Sequence, residues 1–153
     1  MKVKGLVTFV LAASLLGCSR PVSYEPFIPR EKSEYGDTYS FKLDLADSLI
    51  SYSLSLYTRV ERAPFKPYPA DSLDLGLRWI SPSDSSFLEN VVFCLDSPVD
   101  SAYSTKDFIF PYKDSFTPDA PGEWKLRIQV RNNPESLCGL GIILERKEQN
   151  GTR

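Results

Sequence analysis

Apolar and polar residues alternate with a period of two over most of the chain, and this constrains the fold more than any other feature. Tyr39, Phe41, Leu43 and Leu45 are separated by Ser40, Lys42 and Asp44. Tyr52, Leu54, Leu56 and Val60 repeat the pattern around Ser53, Ser55 and Arg59, and Leu73, Leu75, Leu77 and Trp79 do so around Asp74, Gly76 and Arg78. Successive side chains of a strand point to opposite faces, so each run describes a strand with one buried and one wet face. The turn formers Ser81-Pro82-Ser83-Asp84 break the series and predict a hairpin partner over Phe87–Leu95. Phe108, Phe110 and Tyr112 read as a short strand. After Pro118-Asp119-Ala120-Pro121-Gly122, alternation returns at Trp124, Leu126, Ile128 and Val130, and a last strand is expected over Leu140–Arg146. No stretch sustains a helical period, and Asp47–Ser51 has room for one turn at most. The expectation is an all-β single domain over residues 39–146, an antiparallel β-sandwich of jelly-roll or immunoglobulin-like type, with residues 147–153 as a disordered tail. Trp79 and Trp124 are in phase with their apolar neighbours and are expected in the core.

The first eighteen residues, MKVKGLVTFVLAASLLGC, have a different logic. Lys2 and Lys4 precede an apolar run from Leu6 to Leu16, then Gly17 and Cys18. This is the layout of a secretory leader. The run is shorter than the roughly 20 residues that span a bilayer. Leu15-Leu16-Gly17-Cys18 resembles the lipobox of bacterial lipoproteins, which implies cleavage after residue 17 and acylation of Cys18. Residues 18–38, with Pro21, Pro26 and Pro29, then read as an extended tether, with Tyr24, Phe27 and Tyr35 either laid on the domain or carried on a spacer.

Removing 17 of the 153 residues leaves 136, enough for one core. The formal charge of −2 becomes −4 once the two leader lysines are set aside, and no basic face for nucleic acid is apparent. Membrane attachment therefore falls to the acyl chains on Cys18. Of the three cysteines, Cys94 and Cys138 remain; an exported chain meets an oxidising compartment, so they are either a disulfide pair or two small buried hydrophobes. Histidine is absent, which excludes a Ser-His-Asp or Cys-His nucleophile and a histidine-built zinc site.

Other catalytic layouts are sparse. There is no nucleophile elbow and no glycine-rich phosphate loop. Asp96 with Asp100, and Asp114 with Asp119, flank expected loops; converging carboxylates are the minimum for a glycosidase, and oxygen ligands suit calcium, but the calcium-loop spacing is missing. No cofactor or metal is expected. The loop Arg62-Ala63-Pro64-Phe65-Lys66-Pro67-Tyr68-Pro69-Ala70 sets two aromatics among three prolines. Phe65 and Tyr68 are candidates for anchoring a partner, or for folding back to plug an open end of the sandwich.

The order of these features is similar to that of the gliding-motility lipoproteins of the Bacteroidetes, the GldH family. The matching elements are the lipobox cysteine with an early Tyr24, the Tyr39-Ser40-Phe41 strand, Arg59 leading into Tyr68-Pro69, and a leucine-rich strand ending in Ser81-Pro82. Later come Phe116-Thr117-Pro118, Gly122-Glu123-Trp124 with Ile128-Gln129, and Leu137-Cys138-Gly139-Leu140 closing on Glu145-Arg146-Lys147. The resemblance spans most of the chain after Cys18. It departs in lacking a tryptophan near the first strand, where Phe27 or Tyr35 stands in, and in a shorter segment between Gly139 and Glu145. It implies a cell-envelope lipoprotein of the gliding machinery or its associated secretion apparatus, with no catalytic residues to carry over. Surface-exported lipoproteins of these bacteria tend to carry acids after the cysteine; Ser19-Arg20-Pro21 implies retention on the periplasmic side. The leading expectation is a non-enzymatic scaffold within an envelope protein complex. The alternative is a carbohydrate- or ligand-binding module, which calls for exposed coplanar aromatics.

Overall fold

The structure, a computed structural model, describes residues 23–62, 71–132 and 135–147. It is an antiparallel β-sandwich. Among the described residues ten strands occur in chain order: β1 Ser23–Tyr24, β2 Phe27–Pro29, β3 Thr38–Leu45, β4 Ser51–Glu61, β5 Ser72–Ile80, β6 Ser86–Cys94, β7 Asp100–Ser101, β8 Thr105–Phe116, β9 Gly122–Val130 and β10 Leu137–Lys147. One sheet has the order β1-β10-β4-β8-β7, with β2 also on β10; the other has the order β3-β9-β5-β6. Most connections change sheets. Only β5–β6 and β7–β8 join neighbours of one sheet directly. Among the described residues the one helical element is a 3-10 turn at Arg30–Lys32.

The period-two pattern places the core. Every second residue of β3, β4 and β9 is buried, so Tyr39, Phe41, Leu43 and Leu45 meet Trp124, Leu126, Ile128 and Val130 within one sheet and Leu54, Leu56 and Leu144 across the interior. Trp79 and Trp124 are buried and meet edge to face at a centroid distance of 6.3 Å, a favoured aromatic geometry. Thr58 is the exception on the inner face of β4. It is fully buried, and its hydroxyl donates to the Gly139 carbonyl at 2.7 Å. The β4–β10 register slips between Leu137 and Gly139, and the hydroxyl satisfies a carbonyl next to that irregularity.

Three expectations are corrected. The tether does not run to residue 38. Ser23 and Tyr24 pair with Glu145 and Leu144, and Phe27–Pro29 pairs with Gly141–Gly139, so both segments form one broken edge strand on β10. The reason lies in β10: a Cβ on Gly139 would stand 2.4 Å from the Ile28 carbonyl oxygen and 2.7 Å from the Phe27 ring, and one on Gly141 2.9 Å from the Pro26 carbonyl oxygen. Two glycines leave a seat into which the incoming chain settles, with the Phe27 ring 5.5 Å from that of Tyr57. Arg30 then binds Asp37 through Nε at 3.2 Å, and Glu34 bridges to Thr38. Of the three aromatics, Phe27 lies on the domain and Tyr35 is fully exposed.

Strand β8 is twelve residues long rather than a short Phe108–Tyr112 segment. Pro111 falls on an outward position of the alternation, yet a proline ordinarily argues against a strand. It is tolerated opposite Ser55, beside a register irregularity in β4–β8 and beyond the two residues that β7 covers. Finally, β10 begins at Leu137, three residues before the expected start, and takes in Lys147, a residue expected in the tail.

Candidate functional site

The residues singled out from the sequence fall in three places. Cys18, Phe65 and Tyr68 lie outside the described residues. Cys94 and Cys138 are both free thiols, which corrects the disulfide expectation. The physical reason is their facing. Cys94 is exposed on β6, in phase with the outward Leu88 and Val92, whereas Cys138 sits on β10 in the opposite sheet beside Arg59, Glu61 and Asp107. Both point away from the interior, on opposite sides of the sandwich. Neither is a small core hydrophobe. Partial burial, with Glu61 nearby, pushes the Cys138 thiol up, so it is protonated at neutral pH and a poor nucleophile.

The loop carboxylates do not assemble into a metal site: among the described residues no cluster of three acidic or thiol groups could hold an ion. Asp100 accepts the Ser101 amide at 2.8 Å, a local turn contact. Asp119 instead lines a slot at one end of the sandwich.

That slot, about 130 Å³, is bounded by Trp79, Phe87, Phe116 and Trp124, with Lys113, Thr117 and Asp119 supplying the polar groups. Its aromatics form a stack. Phe87 lies 6.0 Å from Trp79 and nearly parallel, and Phe116 meets Trp79 edge on at 5.9 Å. Both indole N–H groups are already occupied. Trp124 Nε1 donates to the Ala120 carbonyl at 2.9 Å, and Trp79 Nε1 to the Tyr112 hydroxyl at 3.1 Å. Tyr112 in turn donates to the Glu89 carboxylate, which Lys113 holds at 3.2 Å while lying 4.8 Å above the Tyr112 ring. The relay Trp79–Tyr112–Glu89–Lys113 therefore ties β5 and β6 of one sheet to β8 of the other, where Phe93 and Phe110 also stack at 4.7 Å. The sequence offered no sign of it, because Glu89 and Tyr112 meet only through the packing of two sheets. Pockets for organic ligands begin near roughly 300 Å³, so the slot is narrow for a ligand. Trp79 is 2% exposed and Phe87 47%, so one ring of the pair, not a coplanar platform, reaches solvent.

The β6 edge stands out more. It is the outer strand of its sheet, paired with β5 over nine residues and with no other strand among the described residues. Leu88 is 56% exposed and Val92 63%, with Asn90 between them, so this face of β6 carries no charge over those positions. The opposite edge, β3, sets Lys42 and Asp44 on its outer face, the usual guard against edge pairing. An unguarded edge presents main-chain donors and acceptors that only an extended segment can meet in register.

Among the described residues no helix is long and apolar enough to cross a membrane. No protein-family model matches the chain, and no curated protein matches it. Among solved structures it is similar to a crystal structure of a protein from Sulfurospirillum deleyianum, at 12% identity and a TM-score of 0.44, covering 84% of this chain and 99% of that one.

Proposed function

We propose that this chain is a lipid-anchored, non-enzymatic accessory protein of the bacterial cell envelope, held by acyl chains on Cys18. Its sandwich docks an extended segment of a partner protein along β6. The observation that carries the docking is the unguarded edge, nine residues of strand whose outer positions Leu88 and Val92 are apolar and exposed. The anchor rests on the lysine-led apolar run ending in Leu15-Leu16-Gly17-Cys18, and the absence of histidine speaks against hydrolytic chemistry of the Ser-His-Asp or Cys-His kind. The ordered likeness to gliding-motility lipoproteins makes the gliding apparatus, or its associated secretion machinery, the complex to test first. Ser19-Arg20-Pro21 supports a periplasmic face.

The test is in-cell cross-linking of the acylated protein, followed by purification and identification of what comes with it. Gliding or secretion components are expected at defined stoichiometry, and Val92→Lys, which places a charge on the edge, is expected to lose them without lowering the melting temperature. Undiminished recovery with Val92→Lys rejects β6 as the contact. Membrane retention of Cys18→Ala overturns the anchor. A second reading, a carbohydrate-binding module, has the half-exposed Phe87 over Trp79 in its favour. Recovery of nothing but abundant envelope proteins, with glycan binding lost on Phe87→Ala, would put it first.

A further inference from the structure

The outer face of the four-stranded sheet holds a feature that neither the anchor nor the β6 edge explains. On β5 the outward positions run Asp74, Gly76, Arg78, and on β9 they run Arg127, Gln129, followed by Arg131 just past the strand end. Register sets Arg78 directly opposite Arg127 and Gly76 opposite Gln129. Like charges facing each other across two strands are destabilising, and this face keeps this pair beside Lys42 opposite Lys125 and Asp44 opposite Glu123, where Lys42 and Glu123 relieve each other diagonally at 3.4 Å. Glu34 relieves only one member: it binds Arg127, and Ser40 donates to the same carboxylate at 2.6 Å. These two contacts, that of Ser40 first, hold the Glu34 carboxyl below its usual range, so it is ionised at neutral pH. Arg78 and Arg131 have no ion-pair partner among the described residues.

Arg131 is placed, not merely present. Its amide donates to the Asp74 carbonyl at 2.8 Å. The next residue, Asn132, clamps the same segment: its side-chain amide donates to the Ser72 carbonyl at 2.7 Å, and its oxygen accepts the Asp74 amide at 3.1 Å. So fixed, the Arg131 side chain runs back along the sheet and its guanidinium lies in the space left by the missing side chain of Gly76, where a Cβ would meet Nε at 2.9 Å. The result is a groove of about 310 Å³, floored by Gly76 and lined by Arg78, Arg127, Arg131, Thr38 and Gln129, with Leu88 on its apolar side. Three guanidiniums against the two carboxylates of Glu34 and Asp74 leave a concave surplus of positive charge on a chain whose net charge is −2.

We propose that this groove binds an oxyanionic group, a phosphate or a carboxylate, carried by a small molecule or a sugar. The chemistry follows from the donors. Guanidinium presents a planar fork that meets two oxygens of a carboxylate or phosphate at once, and Arg78 and Arg131 flank Gly76 with their forks unspent. Gln129 and Thr38 add neutral hydrogen-bonding groups at the floor and wall. An anion seated between Arg78 and Arg127 also removes their mutual repulsion, so part of its affinity comes from relief of a strain already present in the free sheet.

The experiment is calorimetric titration of the purified full chain in detergent, at roughly 0.15 M ionic strength, with inorganic phosphate and separately with glucuronate. Saturable one-to-one binding of either is expected; which of the two binds tells phosphate from carboxylate recognition. The double variant Arg78→Gln with Arg131→Gln is expected to weaken binding by about tenfold or more. Gly76→Ala leaves the charge unchanged but drives the Arg131 guanidinium out of its place, and is expected to weaken binding several-fold. Lys42→Gln with Lys125→Gln removes two charges from the same face outside the groove and is expected to leave affinity unchanged. No saturable binding of either anion overturns the proposal, as does a loss with the lysine variant equal to that with the arginine variant, which would mark mere charge attraction. Unchanged affinity in Gly76→Ala overturns the role of the glycine floor.

Discussion

Asp107, on the outer face of the six-stranded sheet, accepts hydrogen bonds from Arg59 Nε at 2.6 Å, Arg59 Nη2 at 2.7 Å and the Tyr57 hydroxyl at 3.1 Å. These contacts, that of Arg59 first, hold its carboxyl below the ordinary 3.8, while burial and the neighbouring carboxylate push the Tyr57 phenol up. The sign of the pH effect follows. A carboxyl whose folded pKa is depressed stabilises the fold fully above its unfolded value, and that contribution is lost as the pH falls below 3.8 through the lower folded value. Asp107→Asn is therefore expected to lower stability at pH 7 by about 1 kcal/mol, since Arg59 is half-exposed and water weakens the pair. The gap to the unmodified chain should close as the pH is lowered beneath 3.8. Urea unfolding at both ends of that range checks it; a gap independent of pH would show that the carboxylate charge is not the source.

At the scale of elements, the glycine seat on β10 decides whether the segment before β3 belongs to the domain. Backbone, not a pliable side chain, stands 2.4 Å from the position a Gly139 Cβ would take, so the neighbouring strand must move away. Gly139→Ala is expected to detach residues 23–29 while the two sheets stay folded. The amides of β2 should then exchange with solvent orders of magnitude faster, with those of β5 and β9 unchanged. Uniformly faster exchange would mean instead that the seat is part of the cooperative core. Hydropathy alone could not have shown this, since two glycines in a strand carry no hydrophobic signal and Phe27 lies in a segment rich in prolines. Strand β8 was missed beyond Tyr112 because Lys113-Asp114-Ser115 carries no apolar residue, so the hydropathy alternation ends there although the backbone pairing with β4 continues to Phe116.

For the whole molecule, the two sheets are held by a continuous apolar interior and by the Trp79–Tyr112–Glu89–Lys113 relay, not by a covalent link. Cys94 and Cys138 face outward from different sheets, so the melting temperature is expected to be the same with and without a thiol reductant. Both cysteines should take up a thiol reagent in denaturant without prior reduction; a fall in melting temperature on reduction would contradict the free-thiol arrangement. The relay and the arginine groove share one property. Each brings together residues far apart in sequence, Glu89 with Tyr112 and Arg78 with Arg131, through sheet packing or strand register.

Alternation along the chain was enough to show that it is all-β, where most strands run, which side of each is buried, and that both tryptophans are core residues. This is because side-chain alternation is a local property, imposed by strand geometry wherever one face meets oil and the other water. Which strands are neighbours, which edge is left unguarded, and what gathers on the outer faces came from the packing and pairing of the strands. Outward-facing polar residues satisfy the same local pattern whatever lies beside them. Arg78 reads as an ordinary solvent-facing residue until register sets it against Arg127, and Gly76 as a weak point in a strand until the Arg131 guanidinium is found in its place.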